Sequence, residues 1–224
     1  MFITDNKANN IVSAETPSTI ADISYWSGSA ASGFAGGTGL QDDPYIIETA
    51  DQLYLALSLI TDSTNNVAGG KQTGQILKEG STTEYVPVYT PYYYKVSNSV
   101  TAMYLNNIKG NETLEGIKAL VAGSSKKNWQ PKKSFVGSID GNGVFIYGMY
   151  SSTGDGFIYK LDGSAEVKNF NFDSCYSKGS GNSAIVTTRL GSYSNDSTTE
   201  TISNISVRKC YIATTRSVGI GANN

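Results

Sequence analysis

The sequence contains no histidine. That removes the commonest general base and the commonest transition-metal ligand together. A Ser-His-Asp triad, a Cys-His pair and a His-based zinc site are therefore excluded. Cysteine is almost as scarce, and two in 224 residues cannot build a disulfide framework. Charged residues make up only 16% of the chain and the net charge is −2, which offers no basic face to nucleic acid or an anionic membrane. No run of 18 apolar residues occurs, so no membrane insertion is expected. The start, Met1-Phe2-Ile3-Thr4-Asp5-Asn6-Lys7, lacks the basic and apolar regions of a secretory signal. The expectation is a protein made without export, or one whose signal has been removed.

Glycine (24) and tyrosine (15) are abundant, as are Ser, Thr and Asn, a β-rich and turn-rich composition. Within 135–211 a short unit recurs. Its core segments are read as Ile146-Tyr147-Gly148-Met149, Val167-Lys168-Asn169-Phe170 and Ile202-Ser203-Asn204-Ile205, followed by Ser151, Phe172 and Val207. The last two copies also agree at Cys175 and Cys210 and at Tyr176 and Tyr211. Alternating apolar residues put one face of a strand inward. One such strand cannot bury its face alone, whereas stacked copies share a core. A second apolar run lies between the copies: Phe157-Ile158-Tyr159-Lys160-Leu161, then Ser183-Ala184-Ile185-Val186, then Val218-Gly219-Ile220. The pattern predicts an all-β, parallel β-helix with an N-terminal extended arm and one short capping helix. The two cysteines are expected to stack as reduced apolar residues, a bridge between adjacent strands being the lesser alternative because its geometry is demanding, and Asn169 and Asn204 to form a hydrogen-bonded ladder.

In chain order, residues 1–25 read as an anchor arm ordered by a partner, with Phe2, Ile3, Ile11, Val12, Ile20 and Ile23 as candidate anchoring residues; an unstructured tail is the competing reading. Residues 26–134 read as a capping and lead-in region, and 135–224 as β-helix turns expected to continue past Asn224 or to be covered by another subunit. Tyr25, Trp26 and Phe34 are candidates for an end cap or an interface. Tyr45-Ile46-Ile47 predicts a strand. Thr49 predicts the N-cap of a helix over 50–60 that would bury Ala50, Leu53, Leu57 and Ile60. Residues 61–82 read as an excursion, Tyr92-Tyr93-Tyr94-Lys95-Val96 as a strand, and Leu114, Ile117, Leu120 and Val121 hint at a short helix. Lys126, Lys127, Lys132 and Lys133 around Trp129 read as a solvated loop, and Asp140-Gly141 with Asn142-Gly143 as turns.

Several motifs occur in a recognisable order: Gly37-Thr38-Gly39, Asp43-Pro44-Tyr45-x-Ile47-x-Thr49-Ala50-x-Gln52-Leu53, Tyr93-Tyr94-Lys95-Val96, Trp129-x-Pro131, and Phe135-x-Gly137-x-Ile139-Asp140-Gly141-Asn142-Gly143. Gly148, Gly156-Phe157, Leu161 and Val167-Lys168-Asn169-Phe170 follow. Over roughly residues 26–190 this resembles the GLUG-type right-handed β-helix repeats of phage fibres and spikes and of bacterial surface proteins. The usual Gly-Leu-Phe-Gly corner is replaced by Ser183-Ala184-Ile185-Val186. The resemblance implies a virion structural protein in which residues 1–25 attach to other virion proteins and the β-helix shaft leads to host-receptor binding on a surface glycan. It further implies a homotrimer located in the virion. A bacterial cell-surface adhesin is the alternative, and a polysaccharide lyase or glycosidase the second. No cofactor, metal or catalytic residue is expected. The acids that an enzyme reading needs, Asp140, Asp155, Asp162, Glu166 and Asp173, mostly sit at corners where Asp serves turns.

Overall fold

A computed structural model describes residues 25–221, apart from 62, 64, 65, 79, 109, 192–198 and 217. The candidate anchoring residues Phe2, Ile3, Ile11, Val12, Ile20 and Ile23 lie outside the described residues. Among those described there are sixteen strands and two helices, and the chain is mostly β.

Apart from one hairpin, the strands fall into five successive stretches of chain, each called a circuit; the first holds β1 (Tyr45–Ile47), α1 (Ala50–Ser58) and β2 (Val67–Ala68). A hairpin, β3 (Gly70–Leu77) and β4 (Tyr85–Pro91), follows. The second circuit holds β5 (Tyr93–Val96), β6 (Ala102–Tyr104), α2 (Leu114–Ala122) and β7 (Ser134–Phe135). The third holds β8 (Ser138–Tyr147), β9 (Tyr150–Ser151) and β10 (Lys160–Leu161). The fourth holds β11 (Glu166–Asp173), β12 (Tyr176–Lys178) and β13 (Ser183–Thr187), and the fifth β14 (Thr201–Arg208), β15 (Tyr211–Ala213) and β16 (Val218–Gly221).

Strands pair between successive circuits. One sheet runs β1-β5-β8-β11-β14, with β6 also on β8; the others run β2-β7-β10, β9-β12-β15 and β13-β16. All these pairings are parallel; among the described strands the β3–β4 hairpin alone is antiparallel, and a single antiparallel bridge joins Gly36 to Ile46. The largest sheet and the β2-β7-β10 sheet each hold strands from both the lead-in region and the chain after residue 134, so the two regions share one core.

Alternation along β8 and β11 fills that core. Ile139, Val144, Ile146, Val167, Phe170 and Phe172 are all fully buried, each side chain contributing about 1.5–3 kcal/mol before entropy costs. The 35-residue offset is present: Val167 faces Ile202, Phe170 faces Ile205 and Phe172 faces Val207. The first copy, however, is shifted. Val167 pairs with Ile139 and Phe172 with Ile146, so Ile146 is the partner of Phe172 and not of Val167. The cause is a bulge. Gly141-Asn142-Gly143 occupies the place that Asn169 fills alone, with Asn142 at φ 51° and Gly143 at φ 78°. The expected turn at Asp140–Gly143 is thus an irregularity inside β8. Gly141 is required there, because a Cβ would lie 2.6 Å from the Asn169 carbonyl oxygen.

Thr49 caps α1 through a capping box with Gln52, and Ala50, Leu53 and Leu57 are buried as expected. Ile60 falls beyond the helix and is exposed. The helix hinted at by Leu114, Ile117, Leu120 and Val121 is present as α2, which begins at an N-cap Thr113 and, of those four apolar residues, buries only Ile117. The excursion at 61–82 is more structured than its composition suggests, since β2 belongs to a stacked sheet and β3 to the hairpin. Trp129 is fully buried and stacks 5.7 Å from Phe157, so the lysines around it do not mark a solvated loop. Lys127 donates instead to the Trp26 carbonyl.

Candidate functional site

Two outward faces of the stack carry most of its chemistry. The first lies on the largest sheet. Tyr104 stacks on Tyr147 at 5.0 Å and Tyr147 lies 5.8 Å from Phe145. Tyr25 meets Tyr104 edge-on at 5.8 Å. Parallel register sets this column, since Tyr104 pairs with Tyr147 and Ala102 with Phe145. The Arg208 guanidinium lies 4.9 Å from the Phe145 ring and its Nε donates to Asp173 at 2.6 Å. Asp173 is fully buried and also accepts from the Ser174 hydroxyl. Rings of this type beside a charge-assisted pair can receive a ring-shaped polar ligand or another protein surface.

Beside the column runs a polar ladder. Asn204 donates to the Asn169 side chain at 2.6 Å, and Asn169 donates to Asp140 at 2.8 Å. Both asparagines have left-handed backbones, at φ 50° and 61°. Glu166 accepts from Lys168 and from Ser138. The Lys168 ammonium, opposed by partial burial and helped by the Ser138 hydroxyl, holds Glu166 below the usual carboxylate range.

The second face lies on the β9-β12-β15 sheet. Tyr150, Tyr176 and Tyr211 are in register, with ring centroids 5.9 and 5.0 Å apart. Ile117 of α2 packs on this ladder, and Lys118 lies 4.8 Å over Tyr211. A small cavity beneath α2, lined by Asn106, Ile108, Leu120, Val121, Ser125 and Lys126, holds about 40 Å³. That suits a few waters and is far below the ~300 Å³ of a small-molecule pocket.

Four of the five acids considered for catalysis, all but Asp155, have structural partners. Asp162 is buried against Lys160 at 2.8 Å, Glu166 is held by Lys168, Asp173 by Arg208, and Asp140 belongs to the ladder. Among the described residues no group of three or more His, Cys, Asp or Glu side chains is placed to hold a metal ion. Of the expected cap or interface residues, Trp26 is buried between Tyr54 and Trp129, with ring centroids 4.9 Å away in each case. Phe34 stacks on Tyr45 at 4.6 Å. Tyr25 joins the outer aromatic column. The missed members are Tyr104, Phe145 and Tyr147 of that column and Tyr150 of the second; comparing Gly148-Met149-Tyr150 with Ser174-Cys175-Tyr176 would have found Tyr150. No family model, no curated protein and no solved structure shows a significant match to the chain.

Proposed function

We propose that the chain is a right-handed parallel β-helix of the GLUG-repeat kind, serving as the shaft of a phage fibre or spike. What supports this reading is the in-register parallel pairing of circuit upon circuit over a largely apolar interior. Such stacking resists bending and extends by simple repetition. The right hand follows from the near-universal chirality of parallel crossovers. In this reading residues 1–25 attach to the virion, three copies associate laterally, and a host surface glycan is met on the column of Tyr25, Tyr104, Tyr147, Phe145 and Arg208.

The test is the mass of the purified protein in solution, with and without residues 1–25, followed by binding to host surface polysaccharide. A trimer that binds the polysaccharide without cleaving it supports the reading. A monomer that shortens the polysaccharide overturns it in favour of a β-helical lyase or glycosidase.

A further inference from the structure

The corner that joins the largest sheet to the β9-β12-β15 sheet has the same build three times. A residue with positive φ comes first, then a sulfur-bearing residue, then a tyrosine. The three copies are Gly148-Met149-Tyr150, Ser174-Cys175-Tyr176 and Lys209-Cys210-Tyr211, with φ of 68°, 54° and 50° at their first positions. Tyr150, Tyr176 and Tyr211 are in register. The residues before them, Met149, Cys175 and Cys210, therefore form a column on the inner side.

The two thiols also make matching contacts. Cys175 Sγ contacts the carbonyl oxygens of Asp173 at 3.4 Å and Ile146 at 3.6 Å. Cys210 Sγ contacts those of Arg208 at 3.2 Å and Phe172 at 3.8 Å. The Cys210 sulfur also accepts from the Cys175 N–H at 3.4 Å, and the Tyr211 N–H donates to the Cys175 carbonyl. The two Cα atoms are thus one strand spacing apart, ~4.8 Å, inside the ~4.4–6.8 Å window for a disulfide. The Cys210 sulfur already reaches the Cys175 backbone N–H, so the strand register sets the two side chains beside each other.

We infer that Cys175 and Cys210, both free thiols here, form an oxidisable dithiol that locks the fifth circuit onto the fourth when the protein meets a disulfide oxidant. Cys175 is fully buried, whereas Cys210 is partly exposed, so an external disulfide meets Cys210 first. The thiol of Cys175 hydrogen-bonds Cys210 and draws its pKa down, while burial pushes Cys175 well up; the accessible sulfur is therefore the better initial nucleophile.

The Cys210 thiolate attacks one sulfur of the small disulfide and releases one thiolate. The Cys175 sulfur then attacks the mixed disulfide at Cys210 Sγ, forming the Cys175–Cys210 bond and expelling the second thiolate. The two protons lost by the cysteines go to the two leaving thiolates. One external disulfide is reduced to two thiols as the protein dithiol is oxidised. The bond closes a 35-residue separation and holds the circuit whose apolar residues are least covered. This inference rests on the strand register and not on the virion reading.

The test treats the folded full chain with oxidised glutathione. The expected product has lost two hydrogens by intact mass, carries no glutathione, and shows Cys175 linked to Cys210 in a non-reducing peptide map. Its melting temperature should rise by about 5–10 °C and return on treatment with dithiothreitol. Cys175→Ser should instead accumulate a stable glutathione adduct on Cys210. A lasting adduct on wild-type Cys210, a Cys210-linked dimer, or two thiols left unreacted would each overturn the inference.

Discussion

The fourth and fifth circuits are built on the same pattern and fare differently. Val167, Phe170 and Phe172 of β11 match Ile202, Ile205 and Val207 of β14 residue for residue. The β11 residues are fully buried, whereas their β14 partners are only half-buried. The cause is position. β11 has β8 on one side and β14 on the other, while among the described residues β14 pairs only with β11. At the opposite end the first circuit does not share this exposure. The antiparallel bridge from Gly36 to Ile46 covers β1, and Ile47 is fully buried. An apolar strand pattern therefore sets which residues face inward, and the neighbouring circuit decides how much that is worth.

The strongest way to break this comparison is to bury a charge in each circuit. Phe170→Asp should cost more than about 5 kcal/mol, because an unpaired carboxylate would enter a dry core. Ile205→Asp should cost about half as much, since its site reaches water. Urea unfolding midpoints measure both, and equal losses would show that β14 is as well covered as β11.

The polar ladder gives a smaller contrast. Asn169 hydrogen-bonds on both sides, to Asn204 and to Asp140, while Asn204 donates only to Asn169 among the described ladder contacts. Asn169→Ala should cost about 2–3 kcal/mol and Asn204→Ala about 1–2, combining lost hydrogen bonds with a strained left-handed backbone. Asn169→Gly relieves the backbone and should recover roughly 1 kcal/mol of that loss. If it recovers the whole loss in a thermal melt, the ladder hydrogen bonds contribute nothing.

Most of this stack was legible in the residues, and its gaps have physical causes. The 35-residue offset stood out because β11 and β14 have the same length and both place Asn at one left-handed position. The earlier offset was hidden by the β8 bulge: Val167 pairs with a residue 28 positions back, but Phe172 with one 26 back. No single period fits both. Thr49 and Gln52 announced α1 because a capping box is local chemistry. Trp129 was misjudged because lysines beside a tryptophan look solvated in one dimension, although only their ammonium groups need water. The outer aromatic column could not be read at all. It brings together Tyr25, Tyr104, the Phe145–Tyr147 pair and Arg208, four places far apart in the chain that meet only once the register is set.

The smallest expected difference between the two circuits is their response to pH. The fourth carries Glu166 and Lys168 where the fifth carries Thr201 and Ser203, so this titration belongs to the fourth alone. Glu166 has its pKa lowered from 4.5 in the folded protein, chiefly by Lys168. The stabilisation it supplies is present above pH 4.5 and fades as the pH falls through the lowered value. Lys168 is raised from 10.5, chiefly by Glu166, so its share is complete below pH 10.5 and is lost as the pH climbs through the raised value. Both side chains are about one-third exposed, and solvent screening keeps the pair under about 1 kcal/mol. Glu166→Gln should therefore lower the melting temperature slightly at pH 7 and converge with wild type on acidification below pH 4.5. Hydrogen exchange should place the pH 7 loss in β11 and β8, with β14 following only through its contact with β11. A variant that stays below wild type by the same margin at low pH would show that Glu166 acts through packing, and would remove this electrostatic distinction between the two circuits.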